Sequence, residues 1–182
     1  MTSISQDFIV VSKLEAAERQ LDQAILLFFG EQDIVSVHTL TTAAHQIISD
    51  VCKRRGIPRE IEDSPILEQF GIKREVLAVI RKPQNFFKHA DKDHTESMRL
   101  NPMLSVCFIM SAVQSLLQLR SRQSPECKVF RLWFFLRLPE RMPPEIKKLA
   151  SIVKFTADPH DLAFFQQLIQ LVRLQDSATG AA

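Results

Sequence analysis

The chain has 182 residues, three cysteines and a formal net charge of +2 at pH 7. This length can bury a self-sufficient core. The three widely spaced cysteines form no Cys-x-x-Cys pair, and their odd number does not suggest a disulfide framework. The small net charge does not by itself imply a polyanionic partner. Only four glycines are present, which favours helices over tight hairpins. We therefore expect an all-α, single-domain helical bundle of about six to seven helices, with reduced thiols in a cytoplasm.

The N-terminal region predicts a loose arm followed by a helix. Residues 1–11 contain neither a secretory signal nor a helical repeat, and we expect them to form a flexible arm. Ser12 and Glu15 then have the spacing of a capping box, in which each side chain satisfies a free amide at a helix start. Apolar residues recur every three or four positions after this box, and Gly30 is predicted to end the helix in the left-handed conformation.

A second helix is predicted to begin at Asp33 or Ser36 and to run to about Arg55, where Gly56 closes it. The short connection makes the first two helices an antiparallel hairpin. The predicted buried stripe consists of apolar residues at helical spacing, namely Val37, Leu40, Ala44, Ile47 and Val51.

A polar stripe lies beside this apolar one on the same helix. It contains His38, Thr41, His45 and Cys52. Seven helical residues separate the two histidines by about 10 Å, which is too far for one metal ion. We therefore interpret these residues as helix-packing residues.

The middle of the chain predicts an interrupted helix. After a short helical turn from Ser64 to Gly71, a longer helix begins at Ile72 and turns Val76, Leu77 and Ile80 inward. Pro83 removes an amide hydrogen bond and is expected to kink or break it. Residues 85–90 are helical again in this interpretation, and residues 91–100 form a polar loop.

The C-terminal half predicts four further helices, and the first of them is central because it is apolar nearly all round. They begin at the proline-containing starts Asn101, Ser124, Pro144 and Asp158, and end near Arg120, Leu138, Val153 and Gln175. The bundle domain therefore covers residues 12–175, and residues 176–182 are predicted to be a disordered tail. The strictly apolar runs are too short to span a membrane, so no membrane partner is expected.

The candidate site follows from three residues at i, i+4 and i+8. Arg81, Asn85 and His89 would share one helical face, so Asn85 would contact both neighbours and orient His89 for acid–base chemistry. Lys82 and Lys88 would bind a phosphate or nucleic acid beside them. In the structural alternative, His89 caps the negative end of the helix and Asn85 satisfies the backbone exposed by Pro83.

The segment Asn85-Phe86-Phe87-Lys88-His89 resembles the Asn-x-x-x-His part of the HEPN superfamily motif. HEPN proteins are helical bundles, many of them prokaryotic RNA-cutting toxins, whose hallmark is an arginine, four to six residues and a histidine. The resemblance implies a homodimer, RNA or a nucleotide as partner, and metal-free RNA cleavage through the ribose 2′-hydroxyl. Gln84 stands where the tight form Arg-Asn-x-x-x-His has its arginine, and seven residues separate Arg81 from His89. This departure favours a degenerate, binding-only member.

Two further interpretations compete with this one. A metal could use the donors of one polar segment, His89, Asp91, Asp93, His94 and Glu96, but no helical spacing presents them together and we expect no metal and no cofactor. The chain could also be a protein–protein adaptor that uses the aromatic segment around Trp133. The sequence thus predicts a HEPN-like binding module, with a metal-independent endoribonuclease using His89 and a protein adaptor as alternatives.

Overall fold

A computed structural model of the chain describes residues 8–89, 94–120, 122–144, 146–148 and 157–179. These residues are arranged as a helical bundle without a strand, so the predicted all-α class is confirmed. The helices are α1 Lys13–Phe29, α2 Ile34–Arg54, α3 Pro65–Gln69, α4 Lys73–Phe86, α5 Pro102–Leu119, α6 Pro125–Arg137 and α7 Leu162–Thr179, with a 3₁₀ turn at Pro139–Arg141.

The N-terminal hairpin of α1 and α2 begins at the predicted capping box. The Ser12 amide donates to Glu15 Oε2 at 2.8 Å, and the Glu15 amide donates to Ser12 Oγ at 3.3 Å. Of the two candidate caps for α2, Asp33 is the one used, because its carboxylate accepts the Ser36 amide at 2.8 Å. The two helices pack closely against each other, as the short loop requires.

The left-handed conformation predicted for Gly30 at the end of α1 is wrong. Gly30 has a φ of −81°, and the next residue, Glu31, takes the positive φ of 50°. A Cβ at Gly30 would lie 3.2 Å from the Leu26 carbonyl oxygen and 3.3 Å from Gln166 Nε2. A side chain at this position would be crowded by the Leu26 carbonyl of α1 and by Gln166 of α7, and the φ of Gly30 does not call for glycine. Gly56, by contrast, ends α2 with the expected positive φ of 68°.

The core lies between α1, α2, α5, α6 and α7. Phe29 and Phe165 stack at 5.7 Å between ring centroids, and Phe29 also contacts Phe130 and Trp133. Trp133 is 1% exposed, and its indole nitrogen donates to the Pro159 carbonyl at 2.9 Å. The aromatic segment proposed as an adaptor surface is therefore core, because its large side chains face α1 and α7.

Helix α5 is the central helix, as predicted, with ten of its residues buried. By length and composition it is the one helix in the described part of the chain that could cross a bilayer, although 61% of it is buried inside the bundle. The core helix of a bundle has the same properties, so this finding decides nothing about a membrane.

Helices α3 and α4 form a lobe on the outside of α2. Its only buried helical residue is Pro83, and the predicted inward residues Val76, Leu77 and Ile80 are half-buried. Of the predicted kink or break at Pro83, the break is wrong, since α4 continues to Phe86. Proline costs only the bond to the Val79 carbonyl here, and Val79 is 70% exposed.

The chain ends differ from the predicted boundaries. Residues 8–11 have no regular secondary structure and are exposed, whereas residues 1–7 lie outside the described residues. Asp161, not Asp158, caps the start of α7, because its Oδ1 accepts the Phe164 amide at 3.0 Å. Residues 176–179 are helical, so the predicted tail from residue 176 is wrong there. Pro144 and residues 146–148 are helical as predicted, and residues 149–153 of that helix are not described.

Candidate functional site

The principal groove lies between α4 and the segment that precedes α5. Its volume is about 1070 Å³. Helix α4 supplies Lys82 and Asn85 to this groove. His89 also lines it but follows the end of α4, where its amide donates to the Asn85 carbonyl at 3.1 Å. The opposite wall consists of Glu96, Ser97, Met98, Arg99, Asn101 and Leu104.

The groove is cationic and rich in polar groups. Lys82, His89 and Arg99 bring basic side chains to one cleft, and Glu96 is the only acidic residue of the described lining. Asn101 is also the N-cap of α5, where its side-chain oxygen accepts the Met103 amide at 3.0 Å. A groove of this kind attracts anions and can offer hydrogen bonds to their polar parts.

Arg81 does not belong to this groove. Its Nη2 lies 3.3 Å from Oε1 of Glu62, a carboxylate that is only 6% exposed. Arg81 instead lines a second groove of about 620 Å³ between α3 and α4. The predicted stripe is therefore divided: Asn85 and His89 share a groove, and Arg81 is held on another side of α4.

The predicted orientation of His89 by Asn85 is also missing. Both side chains are exposed, and within residues 8–89 and 94–120 no hydrogen bond joins Asn85 to Arg81 or to the His89 ring. Lys88 is exposed but does not line the groove. The described residues therefore do not form the predicted acid–base arrangement, because no side chain orients the histidine by a hydrogen bond and Arg81 lies on another side of α4.

The polar stripe of α2 packs against serines of α5, as predicted for packing residues. His38 Nδ1 lies 3.0 Å from Ser105 Oγ, and His45 Nε2 lies 3.1 Å from Ser111 Oγ. Both histidines are buried, and burial lowers the pKa of each. We call these two pairs the α2–α5 seam; it positions helices rather than substrates, because its members face each other inside the bundle.

Sequence reasoning missed a cleft of about 620 Å³ between α1, the start of α6 and α7. At its base, Asp22 accepts a hydrogen bond from Ser124 Oγ at 2.6 Å, and burial raises the pKa of Asp22 to about 6. The arginines around it are paired with carboxylates, Arg120 with Glu18 at 2.7 Å and Arg173 with the buried Glu126. Charged residues on otherwise apolar faces of α1, α6 and α7 are the sequence feature that could have indicated this cleft.

The alternative metal site cannot be assembled from the described residues. Asp91 and Asp93 lie outside them, and no group of three or more His, Cys, Asp or Glu that could hold a metal occurs in the part of the chain that is described.

Comparison of the chain with protein-family models, with curated proteins and with solved structures found no match.

Proposed function

We propose that this protein is a non-catalytic, HEPN-like module that binds single-stranded RNA in the groove between α4 and α5. The observation that carries the proposal is the meeting of Lys82, His89 and Arg99 in one groove of about 1070 Å³, from which Arg81 is withheld by Glu62.

The lining suits a single-stranded nucleic acid better than a compact anion. Lysine and arginine side chains contact phosphates, while the amides of Asn85 and Asn101 can hydrogen-bond to base edges. Phe86 lines the same groove and offers an aromatic face on which a base can stack.

The proposed absence of chemistry rests on how His89 is held. Metal-free cleavage needs a proton acceptor that a neighbouring group orients. Lys82 and Arg99 bring positive charge to the groove, but no hydrogen bond from a described residue orients the His89 ring. Arg81 is bound to the carboxylate of Glu62, and Gln84 is uncharged. The Asn85–His89 spacing is thus used for binding, and HEPN-like kinship is supported by this spacing and by the helical bundle.

The test is the affinity of the full chain for a fluorescent single-stranded RNA, measured by anisotropy in EDTA at several salt concentrations. We expect Lys82→Ala and Arg99→Ala each to weaken binding by about threefold to tenfold and to reduce the salt slope by about 0.7, one phosphate contact. Lys13→Ala is the matched control, because Lys13 is exposed at the start of α1 and lines none of the three grooves. Equal losses in all three variants, or a flat salt response, would contradict the proposal.

The same samples decide the alternative endoribonuclease, which the shared groove of Asn85 and His89 favours. We expect the RNA to remain intact on a denaturing gel throughout the titration. Cleavage in EDTA that disappears in His89→Ala, while Lys13→Ala still cleaves, would replace binding by catalysis as the function.

A further inference from the structure

The cleft between α1, the start of α6 and α7 contains a partly buried carboxylate whose hydrogen-bond donors are both neutral. Asp22, at its base, accepts a hydrogen bond from Ser124 Oγ at 2.6 Å and a weaker one from Cys127 Sγ at 3.8 Å. Its charged neighbours include Glu126 and Glu18, which are also acidic. Within the described part of the chain no ion pair joins Asp22 to a cation, so its negative charge is not balanced by the protein. We call this site the Asp22 cleft.

The cations that line the Asp22 cleft are bound to other carboxylates. Each of the three arginines of the lining makes an ion pair, namely Arg120–Glu18 at 2.7 Å, Arg122–Asp176 at 3.5 Å and Arg173–Glu126. Glu126 is only 3% exposed, so Arg173 cannot turn to Asp22 without leaving a buried charge unpaired. The base of the cleft therefore lacks a positive charge that the surrounding side chains do not supply.

The rest of the lining suits a small organic cation better than a metal ion. The cleft has a volume of about 620 Å³, which is in the range of small-molecule sites, and Leu116 and Pro125 add apolar surface to it. A metal ion needs several donors, and the described residues contain no group of three or more His, Cys, Asp or Glu that could hold one. An alkylammonium ion needs one carboxylate for its charge and apolar surface for its carbon chain.

We propose that the Asp22 cleft binds the ammonium group of a small primary alkylamine, with Asp22 as its counterion. The ammonium donates to the Asp22 carboxylate, which keeps its hydrogen bond from Ser124, and the carbon chain lies against the apolar part of the lining. The ion pairs of the three arginines stay intact. This inference goes beyond RNA binding and does not depend on it, because different residues line the cleft and the α4–α5 groove.

Titration of the full chain with n-butylamine at pH 7.5 and constant ionic strength, followed by amide chemical shifts, tests the proposal. We expect saturable shifts at Asp22 and Ser124, with a dissociation constant of roughly 1–10 mM for so small a ligand. Asp22→Asn keeps an acceptor for Ser124 but removes the charge, and should weaken binding by about tenfold or more. Asp50→Asn is the matched control, because Asp50 is exposed on α2 and does not line the cleft.

Two related ligands separate the charge from the carbon chain. n-Butanol has the chain without the charge and should give no saturable shift at Asp22 or Ser124. Methylamine has the charge with a shorter chain and should bind about threefold or more weakly than n-butylamine, because it covers less of the apolar lining.

The pH dependence of n-butylamine binding identifies the charged group. Burial raises the pKa of Asp22 to about 6, so a proton competes with the amine and affinity should fall about tenfold from pH 7.5 to pH 5. The other charged groups around the cleft are joined to one another in ion pairs, namely Glu18 with Arg120, Glu126 with Arg173, and Asp176 with Arg122 and Lys128. Any residual binding by Asp22→Asn should not change over this range.

Four results would overturn the proposal: no saturable shift up to roughly 100 mM n-butylamine, equal affinity in Asp22→Asn, equal shifts with n-butanol, or an affinity that does not change with pH. Thermal unfolding of the three proteins checks that folding is retained. Because the charge of Asp22 is unbalanced, Asp22→Asn should unfold at the same or a higher temperature than the unchanged chain, so its loss of binding does not reflect a loss of folding.

Discussion

At the scale of single residues, the chain contains buried carboxylates whose charge is stabilised by only one or two neighbouring groups. Asp22 is the clearest, because it is largely buried, accepts a bond from Ser124 and has Glu126 and Glu18 as acidic neighbours. Glu62 is almost fully buried and has Arg81 as partner, while its second oxygen has no hydrogen bond among the described residues. A buried carboxylate either has a raised pKa or depends on one cation. The free energy of unfolding then responds to pH in the first case and to substitution of the cation in the second.

Asp22→Asn is expected to stabilise the protein at pH 7. The pKa of Asp22 is raised from 3.8 to about 6 in the folded state, so the folded protein binds the proton more tightly than the unfolded chain. The free energy of unfolding contributed by this group therefore falls as pH rises from about 4 to 6 and stays low above it. Asparagine keeps the acceptor for Ser124 and removes the charge, which should add about 1–3 kcal/mol at pH 7 and almost nothing at pH 4.

Urea unfolding of both proteins at pH 4, 5, 6 and 7 measures this difference. Asp50→Asn serves as the control, because Asp50 is exposed on α2 and should give the same small effect at every pH. A gain from Asp22→Asn that is constant with pH, or a loss at pH 7, would show that Asp22 is ionised without cost in the fold.

At the scale of helices, the sequence predicted where helices begin and end better than it predicted which face of a helix is buried. Capping boxes, N-cap residues and prolines at helix starts gave α1, α2, α5 and α6 within a residue or two, because caps are local chemistry. The buried face of α2 was misjudged: Leu40, Ile47 and Val51 are half-buried, while the polar His38 and His45 are fully inside. Hydrophobicity could not show this, since the contacts that accommodate the two buried imidazoles, Ser105 and Ser111, are on α5 and far away in sequence.

The α2–α5 seam gives a second pH prediction, opposite in sign to that of Asp22. Burial lowers the pKa of His38 and His45 below 6.5, so both are neutral in the fold and must gain charge on unfolding in acid. Their contribution to stability is complete above pH 6.5 and is lost as pH falls below it. In the Asp22→Asn variant the opposite pH dependence of Asp22 is removed. We therefore expect its free energy of unfolding to fall as pH is lowered from 7.5 to 5.5.

Adding His38→Asn to that background isolates the seam. The double variant should be less stable at pH 7.5, because the ring packing against Phe87 and Phe108 is lost, but it should show a shallower fall toward pH 5.5. Unfolding in urea at the two pH values gives both quantities. An unchanged slope would mean that His38 has the same pKa in the folded and the unfolded chain.

At the scale of the molecule, the all-α bundle was predictable, whereas the division of the site was not. The prediction of an all-α fold rests on helical periodicity along most of the chain and on the low number of glycines, so an error at one position does not change it. The predicted stripe of Arg81, Asn85 and His89 required all three residues to share one helix face, and two features of the structure prevent this. The first is local, since α4 ends at Phe86, before His89. The second is not, since Arg81 is held by Glu62, which precedes it by nineteen residues.

This uneven architecture predicts uneven stability. Helices α1 and α5 bury many apolar side chains, whereas the α3–α4 lobe buries Pro83 alone among its helical residues and holds Arg81 against the buried Glu62 carboxylate. Elements with few buried contacts open at lower free energy than the global unfolding. In native-state hydrogen exchange we expect the amides of Leu77–Arg81 to exchange at least about 100-fold faster than the core amides of α1 and α5, a gap of about 3 kcal/mol.

Arg81→Ala provides the decisive comparison, because it leaves the buried Glu62 carboxylate without its cation. The substitution should speed exchange in α4 further while the slowest amides of α1, such as those of Leu21 and Ile25, keep their rates. Arg74→Ala, an exposed arginine on the same helix, should change neither set. Equal protection in the lobe and the core, or a uniform acceleration by Arg81→Ala, would mean that the lobe unfolds only with the whole bundle. In that case Arg81 would support the stability of the entire domain, and its withdrawal from the α4–α5 groove would be a requirement of folding.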